Sequence, residues 1–292
     1  MNKAWGLLLI GISVFHAELG CPADPFTPER QMLLAERYPS QDITASVWDA
    51  TSGCVFSLNP GNRQRTASVF KVMVMAGALL EAQTDGRSLT LQEQDLIEPM
   101  ISISANNPVR ELWRLFGGAP WYAEQGSNFG LLDTAVVGDS ELGWGGTLTT
   151  ASDQVDLLRQ LLFRDYGDLH EAARVQAWGF MTNIAQAQRW GVGTNAPIGS
   201  LVAQKNGFAG SVANSVGGVL RADGSGYALA ILSSGWSIWP DGVEVVDMIS
   251  GWIHESFGPS PDRPDPAPDR WSGVRLNNMA AFGAPGLSGW VD

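Results

Sequence analysis

The chain has 292 residues, 45% of them hydrophobic and twelve of them tryptophan, which is enough apolar material for one large domain or two closely packed ones. Its formal net charge of -12, with no local basic patch in the sequence, argues against nucleic acid and anionic membrane surfaces as partners. The two cysteines and three scattered histidines lack metal-ligand spacing, so we expect neither a metal nor a cofactor.

The N-terminal segment 1–21 has the pattern of a signal peptide. A positive charge near the start precedes an apolar run at 4–14 that is too short to span a bilayer comfortably. The residues before Cys21 resemble a lipoprotein cleavage box, although Glu18 stands where an aliphatic residue is expected. We expect a protein that is secreted or held in the periplasm or cell envelope. Either Cys21 carries a lipid, as the only membrane contact, or the protein is simply secreted. A Cys21–Cys54 disulfide can form in an oxidising compartment if Cys21 carries no lipid.

The elements predicted along the chain describe an α/β fold of the α+β type. We expect an antiparallel sheet of about five strands, flanked by helices, with a helical subdomain (67–194) inserted between strands two and three. The α/β part is then 26–66 and 195–258, and residues 259–292 are a proline-rich linker and a tail without assigned function. The predicted elements are a helix at 26–37, strands at 43–48 and 55–58, a helix at 68–83, an interrupted helical pattern at 91–115, an irregular glycine-rich segment at 117–146, helices at 154–163 and 171–186, strands at 201–207, 215–220 and 227–232, and a helix at 243–257.

A hydroxyl and an amine lie three residues apart at the start of the second predicted helix. Residues i and i+3 share a helix face, so Ser68 Oγ and the Lys71 amine are predicted to come within hydrogen-bond distance. The residues that follow are apolar all round, which is typical of a buried helix. Burial lowers the pKa of a lysine towards the range in which its neutral amine acts as a base. Because Ser-x-x-Lys is a common pattern, this hypothesis depends on partners elsewhere in the chain.

Two further short motifs provide those partners. Ser104 and Asn106 fall in the bend before a predicted helix, and 205–207 (Lys-Asn-Gly) lies on a predicted strand. Each has a plainer interpretation, because Ser and Asn are favoured as helix caps and Asn-Gly is a hairpin signal. Their occurrence together and in this order favours a common site.

The three motifs Ser68-x-x-Lys71, Ser104-Ala105-Asn106 and Lys205-Asn206-Gly207 resemble those of the penicillin-recognising serine hydrolase family, the class A β-lactamases and D-alanyl-D-alanine peptidases. The flanking sequence agrees with class A, since 98–101 (Glu-Pro-Met-Ile) precedes the second motif and 149–153 (Thr-Thr-Ala-Ser-Asp) opens a long helix. The resemblance covers about 26–257 and implies a fold of the β-lactamase and transpeptidase type.

The resemblance implies that Ser68 is the acylated nucleophile, with its own amide and that of Phe208 as the oxyanion hole. It also implies that Lys71 is the base and that Ser104 relays a proton to the leaving nitrogen. From the residues alone, two neighbouring lysines would lower each other's pKa and help to keep Lys71 neutral.

The remaining positions of the motifs are implied to bind substrate. Asn106 would hold the Lys71 amine or the amide side chain of a substrate, and Lys205 would place a positive charge near the substrate carboxylate. Gly207 belongs to the same binding strand. Asn206 stands where the family has a threonine, so its amide would have to replace the hydroxyl that binds the carboxylate.

A deacylating base is missing from its expected place. Class A enzymes carry a Glu-x-x-Asn pattern in the loop before the Thr-Thr helix, and 128–146 contains no such pattern. The loop offers Asp133 and Glu141 as weak candidates, and either is more simply explained as a solvated carboxylate. The sequence therefore predicts acylation without predicting fast hydrolysis.

We expect an exported, monomeric serine hydrolase that forms an acyl-enzyme at Ser68 and acts on a small-molecule or peptide amide. Hydrolysis of a β-lactam amide is the first hypothesis. The alternatives are a D-Ala peptide peptidase or esterase that turns over lactams slowly, and a sensor of penicillin-binding type that does not hydrolyse its ligand.

Overall fold

The computed structural model describes residues 20–137, 143–164 and 166–257. Most of the predicted signal peptide and the C-terminal tail lie outside the described residues. None of the described helices is long and apolar enough to cross a membrane. The strands, in chain order, are β1 (Asp42–Asp49), β2 (Val55–Leu58), β3 (Gln64–Arg65), β4 (Leu148–Thr149), β5 (Leu201–Ala209), β6 (Val212–Leu220) and β7 (Gly226–Ser234).

A five-stranded antiparallel sheet joins the two ends of the described chain. Its spatial order is β2-β1-β7-β6-β5, so the N-terminal hairpin and the three C-terminal strands form one sheet, as the sequence predicts. β6 and β7 are buried along nearly their whole length because both faces of the sheet are covered. β5 lies at one edge, which leaves one side of this strand available to other parts of the site.

The helices cover the sheet in two layers. One face packs against α2, α6 and α7 around a large apolar core, and the other packs against α1 and α8 around a second core. The helical part lies between β2 and β5 in the chain, as predicted. The described helices are α1 (Pro28–Arg37), α2 (Phe70–Thr84), α3 (Leu91–Ser102), α4 (Asn107–Leu115), α5 (Ala119–Asn128), α6 (Ala151–Leu162), α7 (Glu171–Thr182) and α8 (Val243–Ser256).

Local sequence explains where two of the described helices begin. Thr90 and Glu93 form a capping box at the start of α3, and the Thr150 side chain accepts from the Asp153 amide at the start of α6. α2 is buried along most of its length, as its uniformly apolar sequence predicts. This helix is therefore the centre of the helical layer and carries Lys71 into it.

The irregular structure predicted for 117–146 is partly wrong, because this segment contains α5. Gly118 has a φ of +76° and directs the chain into this helix, whose second residue is Pro120. α5 packs closely on α2, since a Cβ at Gly77 of α2 would lie 2.6 Å from the ring of Trp121. The glycine-rich composition concealed the helix, and tertiary packing on α2 stabilises it.

Cys21 and Cys54 form a disulfide, with their Cα atoms 5.7 Å apart. It ties the segment before α1 to the turn between β1 and β2. The structure thus contains the disulfide that the sequence left open. A thioether-linked lipid needs the same sulfur, so the two modifications of Cys21 exclude each other.

Candidate active site

Ser68 lies on a tight turn at the entrance to α2. A single turn of 3-10 helix, Ala67–Val69, leads directly into the α-helix, so Ser68 sits beside the amide end of α2. Ala67 has a φ of +44°, a conformation that costs a residue with a Cβ about 1 to 2 kcal/mol. The buried Asn214 holds this turn, because its amide donates to the carbonyls of Arg65 (2.8 Å) and Thr66 (3.1 Å). The Ser68 side chain is half-buried and remains accessible.

The Lys71 amine is buried and faces the bend between α3 and α4. Its Nζ donates to the carbonyl of Ser104 at 2.5 Å, to Ser104 Oγ at 3.2 Å and to Asn106 Oδ1 at 2.9 Å. Within the described chain its hydrogen bonds go to these groups and not to Ser68, so the direct bond predicted from the i, i+3 spacing is not formed. Catalytic hydrogen bonds are often longer in the free enzyme than in the substrate complex, so this geometry is compatible with a base.

Ser104 connects the two lysines of the site. Lys205 Nζ, carried by β5, donates to Ser104 Oγ at 2.9 Å and to the carbonyl of Asn206 at 2.7 Å. Ser104 has a φ of +63°, which orients both its hydroxyl and its carbonyl towards the amines. Two of the four described non-glycine residues with positive φ, Ala67 and Ser104, thus lie at this site, where backbone strain is often concentrated.

Burial changes the protonation of both lysines. Desolvation lowers the pKa of Lys71 to about 7. Desolvation also lowers the pKa of Lys205 well below its usual value, and the neighbouring charge of Lys71 lowers it further. Neither side chain is exposed by more than 1%, and no described carboxylate offsets either shift. A neutral amine is therefore available at Lys71 near neutral pH.

Close packing of β5 on the Ser68 turn brings two backbone amides together. A Cβ at Gly207 would lie 2.6 Å from the Thr66 carbonyl oxygen and 3.0 Å from the Ser68 nitrogen, so only glycine permits this approach. The amides of Ser68 and Phe208 therefore belong to adjoining backbone segments, which suits their predicted role as an oxyanion hole.

Asn206 does not fit its predicted role in binding substrate. Its side chain is fully buried, and its amide donates to the carbonyls of Gln188 (2.8 Å) and Trp190 (3.1 Å). Its Oδ1 accepts from Ser215 Oγ at 2.7 Å. Side chains alternate along a strand, so Lys205 and Gly207 face Ser68 while Asn206 faces the opposite side.

The loop before α6 brings an aromatic ring to the base. The Lys71 amine lies 5.1 Å from the ring centroid of Trp144, and this ring also stacks on Phe70 at 5.9 Å. The Asp133 carboxylate does not take part in this contact with the Lys71 amine, since it pairs with Arg63 at 2.7 Å on the surface. Glu141 lies outside the described residues. Among the described residues of this loop, it is thus Trp144 that contacts the amine.

Sequence reasoning missed two tryptophan side chains, which pack beside the Phe208 ring of β5. The Phe208 ring lies 4.3 Å from that of Trp239 and 6.3 Å from that of Trp190, measured between centroids. Trp190 comes from the loop before β5 and Trp239 from the connection between β7 and α8. Among the described residues, no group of three or more His, Cys, Asp or Glu side chains could hold a metal ion.

A hydroxyl at a helix entrance, a buried lysine and a serine shared by two lysines are groups that can carry out nucleophilic acyl transfer. A model described as the β-lactamase enzyme family matches residues 80–257, more than half of the chain, so the chain belongs to this family of serine hydrolases. Among curated protein sequences, none matches the chain.

Solved structures with the same fold include β-lactamases and PBP-A. PBP-A is 19% identical, with a TM-score of 0.69 over 78% of this chain and 94% of its own, and a mutant of it was solved as an acyl-enzyme complex with penicillin G. TLA-1 extended-spectrum β-lactamase is 16% identical, with a TM-score of 0.68 over 77% and 97%. A representative class A β-lactamase from Bacteroides cellulosilyticus DSM 14838 is 16% identical, with a TM-score of 0.69 over 80% and 98%. At identities of 16 to 19%, the similarity to these structures shows a shared fold only.

Proposed function

We propose that this chain is an exported serine hydrolase that forms an acyl-enzyme at Ser68, with a β-lactam amide as its substrate. The observation that carries the proposal is the network in which Lys71 and Lys205 both donate to the Ser104 hydroxyl beside the Ser68 turn. A buried amine with a pKa of about 7, three residues along the chain from the Ser68 hydroxyl, provides a base of the kind that nucleophilic catalysis needs.

Acylation follows from these groups. Ser68 Oγ attacks the carbonyl carbon of the amide and its proton passes to the neutral Lys71 amine. The amides of Ser68 and Phe208 stabilise the negative charge that develops on the carbonyl oxygen. When the C–N bond breaks, the Ser104 hydroxyl gives its proton to the leaving nitrogen and recovers one from the Lys71 ammonium, to which it is hydrogen-bonded at 3.2 Å. The Ser68 proton thereby ends on the leaving group.

Among the described residues, deacylation has no comparable support. Water must be activated by a base, and among the described residues of the loop before α6 the contact to Lys71 comes from Trp144 rather than from a carboxylate. Asp133 is held by Arg63. This observation favours the second candidate, a D-Ala peptide peptidase or an esterase in which a lactam acylates Ser68 quickly and leaves slowly. If the acyl group is never released from Ser68, the protein is a penicillin-binding sensor.

Turnover assays separate these functions. A chromogenic cephalosporin and a D-Ala peptide thioester are each incubated with the wild type and with Ser68→Ala. Steady turnover of the cephalosporin supports a β-lactamase, whereas turnover of the thioester with a single burst of cephalosporin supports the peptidase or esterase. Activity that survives in Ser68→Ala contradicts the proposal.

The location that we propose is outside the cytoplasm, secreted or in the cell envelope, as a monomer. The Cys21–Cys54 disulfide supports an oxidising compartment and a Cys21 without lipid. The test is the mass of the protein purified from its native host: an oxidised, unlipidated N-terminal peptide is expected, and a diacylglyceryl adduct on Cys21 would contradict this part.

A further inference from the structure

The ring of Trp144 lies over the base of the proposed reaction. Lys71 Nζ is 5.1 Å from the centroid of this ring, within the distance at which an aromatic face attracts a cation. The Trp144 side chain is only 8% exposed, and its ring stacks on that of Phe70, with the centroids 5.9 Å apart. The Lys71 amine therefore has an apolar, electron-rich surface on the side of the loop before α6.

The backbone beside Trp144 is fixed to the segment that leads into Ser68. β4, which follows Trp144 closely, pairs with β3, which precedes Ser68. Between these strands and the nucleophile, the Thr66 amide donates to the Thr147 carbonyl at 2.8 Å. The position of the ring over the amine is thus set by the fold before a substrate binds.

The positive charge of Lys71 has no described carboxylate to balance it. From the bend between α3 and α4, the amine contacts three uncharged acceptors, the carbonyl and hydroxyl of Ser104 and the Asn106 side chain. From β5 it faces Lys205, a second cation that donates to the same Ser104 hydroxyl. When the amine takes a proton from the nucleophile, the new ammonium is therefore stabilised by these dipoles and by the face of Trp144. A cation–π contact is strongest where water is excluded.

The ring of Trp144 acts on the protonation of Lys71 in two opposite directions. By excluding water, it contributes to the desolvation that lowers the pKa of Lys71 to about 7. By presenting its face, it favours the charged form and so opposes part of that lowering. Substitution separates the two effects, because leucine keeps the amine covered without a π face, and alanine provides neither the cover nor the face.

We propose that Trp144 is a positioning residue of the acylation step, whose ring shields the Lys71 amine from water and whose face stabilises the ammonium that forms there. The proposal rests on the function proposed above and adds to it an aromatic counterpart for the charge on the base.

The kinetic test is the pH profile of Ser68 acylation by a penicillin, followed by intact mass in three variants of Trp144. In Trp144→Leu the midpoint should fall by about one pH unit and the plateau rate by about threefold to tenfold, because the ammonium loses the ring face. Trp144→Phe keeps a weaker face, so its midpoint should lie between those of the leucine variant and the wild type. Trp144→Ala admits water, so its midpoint should rise by about one pH unit.

The matched control is Trp113→Leu. Trp113 is 5% exposed and packs on the same Phe70 ring, with the centroids 6.4 Å apart. Within the described residues, the ring that contacts the Lys71 amine is that of Trp144 and not that of Trp113. The midpoint of the control should therefore stay near the wild-type value. An equal shift in the two leucine variants, no fall in Trp144→Leu, or a fall in Trp144→Ala would overturn the proposal.

Failure of Ser68 to react with any penicillin would bear on the proposed function, so the pKa of Lys71 is also measured without the reaction. The chain has three lysines, of which Lys3 lies in the predicted signal peptide, so the exported protein labelled with carbon-13 at lysine Cε gives two signals to titrate by NMR. Lys205→Arg assigns them. In the Ser68→Ala background, Trp144→Leu should lower the pKa of Lys71 by about one unit. That fall supports the role of the ring even if Ser68 is never acylated, and an unchanged or higher pKa contradicts it.

Discussion

Acylation of Ser68 should depend on pH through the proton on Lys71. The neutral amine is the base, and it predominates above its pKa of about 7. The acylation rate should therefore rise with pH, reach half of its plateau near pH 7, and be roughly a hundredfold lower at pH 5 than at pH 9, since each unit below the pKa reduces the neutral fraction tenfold. A solvated lysine would be neutral at pH 7 in only about one molecule in 3,000, so burial supplies a factor of roughly a thousand.

The matched perturbation is Lys71→Arg, which keeps a positive charge and the hydrogen-bonding capacity towards Ser104 and Asn106. A guanidinium remains protonated throughout this range, so the base is lost at every pH. We expect acylation to fall by about 10² to 10⁴ and to lose its pH dependence. The assay is the rate at which the intact mass increases on addition of a penicillin, measured from pH 5 to pH 9.

A flat profile for the wild type, or a midpoint near the usual lysine value, would refute the reasoning. Because Lys71 and Lys205 interact through Ser104, the midpoint belongs to the pair. Lys205→Arg places a permanent positive charge beside Ser104 Oγ, so the midpoint of this variant should lie at or below about 7. A midpoint above about 8 in that variant would contradict electrostatic coupling between the two positions.

Three further predictions concern the framework of the site. Gly207→Ala should reduce acylation by about a hundredfold or more, because the added Cβ would push β5 away from the Ser68 turn and disturb the oxyanion hole. The control is Gly145→Ala, whose added Cβ would have its nearest contact at 3.7 Å and should have little effect on acylation. Equal acylation rates for the two variants would contradict the close packing of β5 on the turn. Asn214→Ala should lower the free energy of unfolding by roughly 2 to 4 kcal/mol in urea titrations, because the carbonyls of Arg65 and Thr66 lose their hydrogen-bond donor. A loss below about 0.5 kcal/mol would contradict the role of Asn214 in holding the Ser68 turn. Cys54→Ser should lower the free energy of unfolding by about 3 to 4 kcal/mol, because the disulfide closes a loop between residues 33 positions apart. An unchanged free energy of unfolding in this variant, or a wild-type stability that reductant does not lower, would argue that the disulfide does not form.

The sheet and most helices could be predicted because their signals are local. Alternating or continuous apolar runs define β1 and β5 to β7, and a capping threonine marks the start of α3 and of α6. α5 was missed because its sequence carries glycine and proline at one end and little helical periodicity. Its stability comes from contacts with α2, such as Trp121 against Gly77, which are distant in the sequence.

The sequence motifs named some side chains that the fold brings together and one that it does not. Ser104 and Lys205 were assigned from motifs, and the structure brings both to Lys71. Asn206 was placed by resemblance alone, although the alternation of side chains along a strand already indicates that a residue next to Lys205 faces the other way. Trp190 and Trp239 belong to no motif and are 49 residues apart, so only the fold reveals that they meet beside Phe208.

The central claim is that Ser68 takes up an acyl group from a β-lactam. Its most direct test is the intact mass of the protein followed over time after a short exposure to penicillin G. We expect the wild type to gain the mass of one penicillin, with slow loss of the adduct favouring the peptidase, esterase or sensor and rapid loss favouring the β-lactamase, and Ser68→Ala to gain nothing. A wild type that neither gains the adduct nor consumes penicillin G, or an equal adduct on Ser68→Ala, would contradict the account.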